Sequence, residues 1–203
     1  MAYRETAQVS QRKAELRERL LQSAESLVRE GGFRALTIQA LARDAGVSVG
    51  SVYRYFKNKD QLATEVFSHA TRREVGAVKT ALSGGGSQAQ RLRSGVTVFS
   101  ERAFRAPQFA WALIAEPVDP AVDEARLHFR REYTGLFEAV IQQGIDSGEF
   151  VSQRASLTAA ALVGALAESL LGPLVETEYN VATIEELCRL CLRAVGINEE
   201  DRV

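Results

Sequence analysis

Small and polar side chains between Thr37 and Lys59 have the types and spacing needed to contact a nucleic acid duplex. Gln39 and Ser51 donate and accept hydrogen bonds, and the Gln39 amide suits the donor and acceptor edge of adenine. Gly50 lacks a side chain, so the backbone there can approach a groove closely. Lys59 places an ammonium group at a predicted helix start, where the helix N-terminus also attracts a phosphate. Base contacts and phosphate contacts are therefore assigned to different residues.

Two short helices must hold these residues in place. Thr37 and Ser48 are residue types that cap helix N-termini, and apolar residues follow each at three- and four-residue steps. Gly46 lies between the two segments, where glycine can end the first helix. A short turn containing glycine between two helices is typical of a helix-turn-helix, whose second helix enters the major groove of DNA.

The sequence from Thr37 to Leu62 reads T-I-x-x-L-A-x-x-A-G-V-S-x-G-S-V-Y-R-Y-F-x-N-K-x-x-L. This pattern resembles the DNA-binding signature of the tetracycline-repressor (TetR) family of bacterial transcription regulators. The resemblance implies a helix-turn-helix DNA-binding domain at residues 13–59 and a helical effector-binding and dimerisation domain at residues 60–203. Residues 1–12 are expected to be a flexible arm.

Matching this chain to the family pattern position by position assigns the DNA contacts. Tyr55 and Thr37 are expected to bond phosphates together with Lys59. Arg54 is open to three roles, contact with guanine, contact with phosphate or solvation of the helix, and Tyr53 is equally open to a role in the core. The residues of the motif expected at or near the DNA are Thr37, Gln39, Gly46, Val49, Gly50, Ser51, Tyr53, Arg54, Tyr55 and Lys59.

Charge and cysteine content restrict the class of protein. The chain of 203 residues has a net charge of -1, but residues 1–80 carry +5 and residues 81–203 carry -6. The basic part contains the helix-turn-helix, which favours a polyanionic partner there. Cys188 and Cys191 are too few for a disulfide framework, so a reducing compartment is expected.

The longest apolar run of the sequence is shorter than a membrane span. The first thirty residues lack the apolar region of a signal peptide, and the run Leu157–Ala167 is shorter than the roughly 20 residues that cross a bilayer. We therefore expect a cytoplasmic protein with no membrane partner.

The periodicity of apolar residues predicts an all-α fold of about nine helices and no sheet. Gly31–Gly32 should end the first helix, and Ser83–Ser87 should be a flexible linker. The helix at 152–171 is apolar almost all round, which predicts burial on both sides and an end at Gly172–Pro173. Asn58 with Gln61 and Thr183 with Glu186 have the spacing of capping boxes. The other predicted helices cover 13–30, 59–82, 88–105, 109–114, 120–146 and 183–195.

The resemblance also implies a ligand pocket in the second domain. Its ligand is expected to be mostly apolar, with an anionic end near Arg102, Arg105 or Arg130. The alternative is that the aromatic candidates are ordinary core residues, as in any helical bundle. The candidate pocket residues are Phe99, Arg102, Phe104, Phe109, Trp111, Phe129, Arg130, Tyr133 and Phe137.

A dimer is expected because one helix-turn-helix reads only a few base pairs. In the family it resembles, two helices of the second domain pair with those of a second copy, here 152–171 and 183–195. The alternative is that both helices are used up in the core of one subunit. The candidate interface residues are Ala160, Gly164, Ala167, Leu187 and Cys191.

These observations predict a sequence-specific repressor that a small, mostly apolar ligand releases from a palindromic operator. The alternatives are a DNA-binding module without an effector, or an activator. An enzyme or carrier is a third class, but no catalytic motif supports it. His69 and His128 lack partners at metal-ligand spacing, so no enzyme activity, cofactor or metal is expected.

Overall fold

The computed structural model describes residues 7–176 and 181–197, and within these ranges it forms nine α-helices and no β-strand. The predicted all-α class is therefore confirmed. The helices are α1 (Ala7–Ala35), α2 (Ile38–Asp44), α3 (Val49–Tyr53), α4 (Lys59–Leu82), α5 (Gln88–Arg105), α6 (Pro107–Ile114), α7 (Pro120–Asp146), α8 (Ala155–Glu176) and α9 (Val181–Ala194).

Helix α1 begins earlier than the sequence predicted, and a kink interrupts it near its C-terminal end. It begins at Ala7, so the flexible-arm prediction is wrong for residues 7–12, which contain neither glycine nor proline; residues 1–6 lie outside the described ranges. At its other end, the regular helix stops at Gly31–Gly32 as the sequence predicted, and a kink at Gly32 joins it to a short helical segment that continues to Ala35. Gly32 has φ 71° and ψ -177°, a conformation that side-chain-bearing residues rarely adopt.

Helices α1 to α3 and the start of α4 enclose a small apolar core. α1 packs on α2 and α4, and α2 packs on α3. The side chain of Phe56, just after α3, is fully buried, and the Arg17 guanidinium lies 5.7 Å from the centre of its ring. The other fully buried residues of this core are Leu20, Ala24, Val28, Leu36, Leu41, Val52 and Leu62.

The remaining helices form a larger bundle that is continuous with the first core. α4 packs on α5 and α7, α7 packs on α8, and α5 packs on α9. α6 lies against α1 and α8. The helix-turn-helix region is therefore connected to the bundle in two ways, through α4 and through the contact between α1 and α6.

The boundaries of α8 and α9 differ from those predicted. α8 continues through Gly172–Pro173 to Glu176, although proline disfavours a helix interior, and Leu174 beyond it is buried at 3% exposure. α9 begins at Val181, so Thr183 lies inside the helix and does not cap it. Residues 177–180 lie outside the described ranges.

Helix α8 is also not buried on both sides. Leu157 is 64% exposed, and Ala160, Ala161 and Gly164 are exposed on the same helix. By length and composition alone, Ala155–Gly172 could cross a membrane, and 28% of this stretch is buried. Helices of soluble proteins also meet this criterion, and the open apolar face is equally suited to contact with another protein.

Candidate DNA-binding and ligand-binding sites

Side chains and one glycine define both ends of α2. The Thr37 hydroxyl accepts a hydrogen bond from the Ala40 amide at 3.0 Å and so caps the helix N-terminus. At the other end Gly46 has φ 66°, and the Val47 amide donates to the Ala42 carbonyl at 2.9 Å. This is a Schellman motif, which uses a left-handed residue to end a helix and start a new direction.

Helix α3 has one buried and one open face. Ser48 caps it by accepting a hydrogen bond from the Ser51 amide at 3.1 Å, and Val52 is fully buried beneath it. On the opposite face Val49 is 38% exposed and Tyr53 is 51% exposed. The Tyr53 ring therefore does not belong to the core, which leaves it available for DNA.

Most of the residues predicted to contact DNA are open to solvent in the structure. Thr37, Ser51 and Tyr55 are half-buried, and Tyr55 also packs against the core. The Ser51 hydroxyl shares a hydrogen bond with the Ser48 hydroxyl at 2.9 Å. The exposed residues of the set are Gln39, Gly46, Val49, Gly50, Tyr53, Arg54 and Lys59.

Lys59 is the first residue of α4, as the sequence predicted. The Asn58 side chain accepts a hydrogen bond from the Gln61 amide at 2.8 Å. The predicted capping box is only half formed, because the Gln61 side chain accepts from the Lys57 amide and not from the Asn58 amide. Lys59 is exposed at this N-terminus, so its ammonium and the free amides of the first turn present positive potential together.

A cavity of about 280 Å³ lies in the larger bundle. Side chains of α4 to α8 line it, and Arg29 of α1 also reaches it. Its apolar wall is rich in aromatic rings: Phe99 and Tyr133 meet edge to face at 5.6 Å between ring centres. The other aromatic residues that line it are Phe67, Phe109 and Phe129.

Several polar groups also face the cavity. Arg102 donates two hydrogen bonds to Glu74, at 2.5 and 2.9 Å, and this contact raises the pKa of Arg102. Burial lowers the pKa of Arg126, and it raises the pKa of Tyr133, whose phenol therefore stays neutral. The Thr71 hydroxyl is buried and has no hydrogen-bond partner among the described residues. An unsatisfied buried hydroxyl in a cavity wall is a suitable partner for a ligand or a water molecule.

Six of the nine predicted pocket residues line this cavity: Phe99, Arg102, Phe109, Phe129, Arg130 and Tyr133. The prediction is wrong for the other three as lining residues. Phe104 and Phe137 are buried at 7% and 1% exposure on other faces of α5 and α7, and Trp111 is half-buried away from the cavity.

Helix α4 contributes to the cavity wall, which the sequence did not predict. Phe67, Thr71, Glu74 and Val78 all line the cavity, and their spacing places them on one face of that helix. This spacing is visible in the sequence, but none of the predicted pocket residues lies on α4. Arg126 of α7 was also missed.

The predicted interface residues fall into two groups. Ala160 and Gly164 are exposed on α8, while Ala167 is half-buried and lines the cavity. Leu187 and Cys191 are buried at 5% and 0% exposure within the subunit, so their assignment to a surface between subunits is wrong. The large apolar residues of α9 that are exposed are instead Val181, at its first turn, and Leu190, at 65% and 44% exposure.

The two cysteines are free thiols in an apolar setting. Burial raises the pKa of Cys188, and it raises that of Cys191 to about 12. The Cys188 thiol also lies 3.4 Å from the Thr97 hydroxyl. Both thiols therefore stay protonated near neutral pH and are poor nucleophiles.

Comparison with known proteins agrees with this geometry. The family model described as "Bacterial regulatory proteins, tetR family" matches residues 20–66, and that described as "Tetracyclin repressor-like, C-terminal domain" matches residues 85–170. The two matches together span more than half of the chain.

Two curated relatives are transcriptional repressors. The chain is 32% identical over 83 residues to the repressor KstR of Mycolicibacterium smegmatis, an alignment that covers 41% of each protein. It is 28% identical over 140 residues to the repressor KstR2 of Rhodococcus jostii, which covers 67% of this chain and 68% of the relative. The first alignment thus spans less than half the length of that relative.

A solved structure shows the same fold. The regulator FadR from Bacillus subtilis, in complex with stearoyl-CoA, superposes with a TM-score of 0.76 at 18% identity, over 89% of this chain and 99% of FadR. Together with the helix-turn-helix and the two family matches, this shows that the chain belongs to the TetR family of bacterial regulatory proteins.

Proposed function

We propose that this protein is a transcriptional repressor that binds a palindromic operator as a homodimer and leaves it when a small ligand enters the cavity. The observation that carries the proposal is a helix-turn-helix whose predicted base-contacting residues are mostly exposed. Helices α1 and α4 connect it to a cavity lined by aromatic and basic side chains. The relatives KstR and KstR2 are named as repressors, which supports repression over activation. Since such a protein acts on the chromosome, the proposal places it in the bacterial cytoplasm.

The exposed apolar face of α8 supports a homodimer. Leu157 is 64% exposed, and the small residues Ala160, Ala161 and Gly164 are exposed on the same face of that helix. On the neighbouring α9, Leu190 is 44% exposed. An apolar face open to solvent in one subunit indicates a partner, and the symmetric solution is the same face of a second copy. Such a pair would present two recognition helices to half-sites about 34 to 36 Å apart.

The cavity supports a ligand with an apolar chain and an anionic group. Phe67, Phe99, Phe109 and Phe129 provide the apolar wall, and the buried Thr71 hydroxyl offers a hydrogen bond. The basic side chains at the cavity suit an anionic group, while the carboxylate of Glu74 is already paired with Arg102. Because the FadR structure contains stearoyl-CoA, a long-chain acyl-CoA is the first compound of this class to test. The basic residues that line the cavity are Arg29, Arg102, Arg105, Arg126 and Arg130.

Titration of the protein on a DNA fragment from beside its own gene tests this function. Fluorescence anisotropy would measure operator affinity with stearoyl-CoA, with stearate and with free coenzyme A. We expect stearoyl-CoA to release the operator and free coenzyme A to have no effect, since it lacks the apolar chain. Release by stearate as well would identify the carboxylate as a sufficient anionic group. Equal release by free coenzyme A, or no release by either acyl compound, would contradict the proposed ligand class.

Two neighbouring arginines of α7 provide a matched pair for the same experiment. Both are exposed, but Arg130 lines the cavity and Arg131 does not. Arg130→Gln should weaken stearoyl-CoA binding by about tenfold or more, the effect of one hydrogen bond to a charged group. Arg131→Gln should leave binding unchanged. If both variants lost similar affinity for stearoyl-CoA, the arginines would act by general electrostatic attraction of the anion, and Arg130 would not be part of a specific binding site.

Removal of the Lys59 ammonium is expected to weaken binding to every DNA sequence alike. Lys59 is exposed at the N-terminus of α4, where its partner would be a phosphate. Lys59→Ala should therefore lower the slope of log affinity against log salt by about one unit. Affinities measured at several salt concentrations, for the operator and for unrelated DNA, check this prediction.

Gln39→Ala and Ser51→Ala should instead change base preference. Each is expected to cost about 1 to 3 kcal/mol at one operator position and to leave the salt slope unchanged. Binding to a set of operators with single base changes would locate that position. If all three variants lost affinity equally at every sequence, the division between base and phosphate contacts would be wrong.

A further inference from the structure

The Arg126 guanidinium lies between the cavity and the end of α6. It lines the cavity, and its Nε atom donates to the Leu113 carbonyl at 3.0 Å. One of its Nη atoms donates to the Glu116 carbonyl at 2.9 Å, and the other bonds the Asp123 carboxylate. The last carbonyls of a helix have no partner within it, and a positive charge there is favourable. Arg126 therefore holds the C-terminal end of α6 and the segment that follows it.

The Glu116 side chain extends the contact to the helix-turn-helix. Its carboxylate is buried at 4% exposure and accepts hydrogen bonds from the Phe33 amide at 2.8 Å and the Arg34 amide at 3.2 Å. Both amides follow the kink at Gly32. A Cβ atom on residue 32 would lie only 2.6 Å from Glu116 Oε2, so the carboxylate packs closely against this glycine. Thr37, the cap of α2, is only three residues beyond Arg34. The carboxylate thus fixes the end of α1 just before the DNA-binding helices begin.

We propose that these contacts, the Arg126–Glu116 linkage, carry the ligand signal from the cavity to the helix-turn-helix; this rests on the proposed ligand response. An anionic group that draws Arg126 into the cavity removes the donor from the Leu113 and Glu116 carbonyls. The segment after α6 then loses its anchor, and the Glu116 carboxylate moves away from the Phe33 and Arg34 amides. The position of α2 that binds DNA is stabilised only while the linkage is intact. Binding of the ligand therefore lowers the affinity for the operator, and binding of the operator lowers the affinity for the ligand.

Glu25 of α1 is a second buried carboxylate, and it provides a matched control for Glu116. Glu25 is 6% exposed and binds Arg29 on α1, together with Arg73 and His69 on α4. It therefore holds α1 to α4, whereas Glu116 holds the end of α1 to the segment that follows α6. Glu25→Gln and Glu116→Gln have the same change in charge and similar burial, but only the second breaks the proposed linkage.

Amide hydrogen exchange in the ligand-free, full-length protein tests the linkage without any ligand. Arg126→Gln should raise exchange at Phe33 and Arg34 by about tenfold or more, as expected when a hydrogen bond is lost locally. Exchange within α7 and α8 should stay unchanged, which would show that the variant is folded. Arg126→Lys, which keeps the charge, serves as a second variant and should show a smaller increase. Unchanged exchange at both amides in a folded Arg126→Gln protein would overturn the proposal.

Operator binding with and without stearoyl-CoA tests the signal itself. Glu116→Gln should bind the operator weakly in both cases and bind stearoyl-CoA at least as tightly as the unmodified protein. Glu25→Gln should keep the difference between the two conditions. A Glu116→Gln protein that is still released as strongly as the unmodified protein would overturn the proposal, as would loss of the response in Glu25→Gln as well. If stearoyl-CoA fails to bind the unmodified protein, the proposed ligand class fails, while the exchange experiment still decides the linkage.

Discussion

Replacement of Gly164 by arginine is expected to convert the proposed homodimer to a monomer and to weaken operator binding by roughly 100-fold or more. Gly164 is exposed on α8, and a Cβ atom there would meet nothing within 4 Å in the same subunit. The subunit should therefore fold normally. In a pair of subunits, however, the arginine would place two like charges in a closely packed apolar surface. A monomer loses the gain of about 10² to 10⁴ that comes from joining two binding units.

Sedimentation and fluorescence anisotropy measure the two parts of this prediction. The unmodified protein should sediment as a dimer, and the variant at the same concentration should sediment near 22.2 kDa, the mass of one chain. Gly76→Arg is a matched control, because Gly76 is an exposed helical glycine of α4 with equal free space and no apolar surroundings. A Gly164→Arg protein that remains dimeric would place the interface elsewhere, and the exposed face of α8 would then require a different partner.

The helix-turn-helix could be predicted from sequence because local residues determine it. Thr37 and Ser48 cap their own helices, and Gly46 takes the left-handed conformation that ends α2. Each of these interactions joins residues at most five positions apart. A pattern of residue types at fixed spacing therefore contains nearly all the information that this part of the fold requires.

The cavity was harder to predict because the rotation of each helix decides which residues line it. Phe99 and Phe104 lie on the same helix and look alike in the sequence, but only Phe99 faces the cavity. The same holds for Phe129 and Phe137 on α7. Contacts between helices far apart in sequence set these rotations, and apolar periodicity shows only that a face is buried, not what it faces.

Helix α9 illustrates the same limit at the expected subunit interface. Cys188 and Cys191 lie on the face that packs against α5, where the Cys188 thiol meets Thr97. The sequence shows an amphipathic helix but not whether its apolar face is turned to its own bundle or to a second copy. The exposed Leu190 lies on the other side, and only the packed structure separates it from its buried neighbours.

Truncation of the Phe56 side chain is expected to lower the free energy of unfolding by about 3 to 5 kcal/mol, the usual cost of replacing a buried phenylalanine with alanine. The ring is fully buried among α1, α3 and α4, and its removal leaves a cavity in the smallest core of the molecule. Helix α3 has only five residues, far fewer than the roughly 12 to 15 that an isolated helix needs. Its position must therefore depend on such packing, so Phe56→Ala should also weaken operator binding.

Tyr53→Ala separates the loss of packing from the loss of a DNA contact. Tyr53 belongs to the same helix but is 51% exposed, so its removal should change the free energy of unfolding by less than about 0.5 kcal/mol. Urea unfolding followed by circular dichroism measures both variants, and anisotropy measures their operator affinities. If Phe56→Ala were as stable as Tyr53→Ala, the position of α3 would not depend on this core. Tyr53→Ala with full operator affinity would show that exposure on this face is not sufficient for a DNA contact.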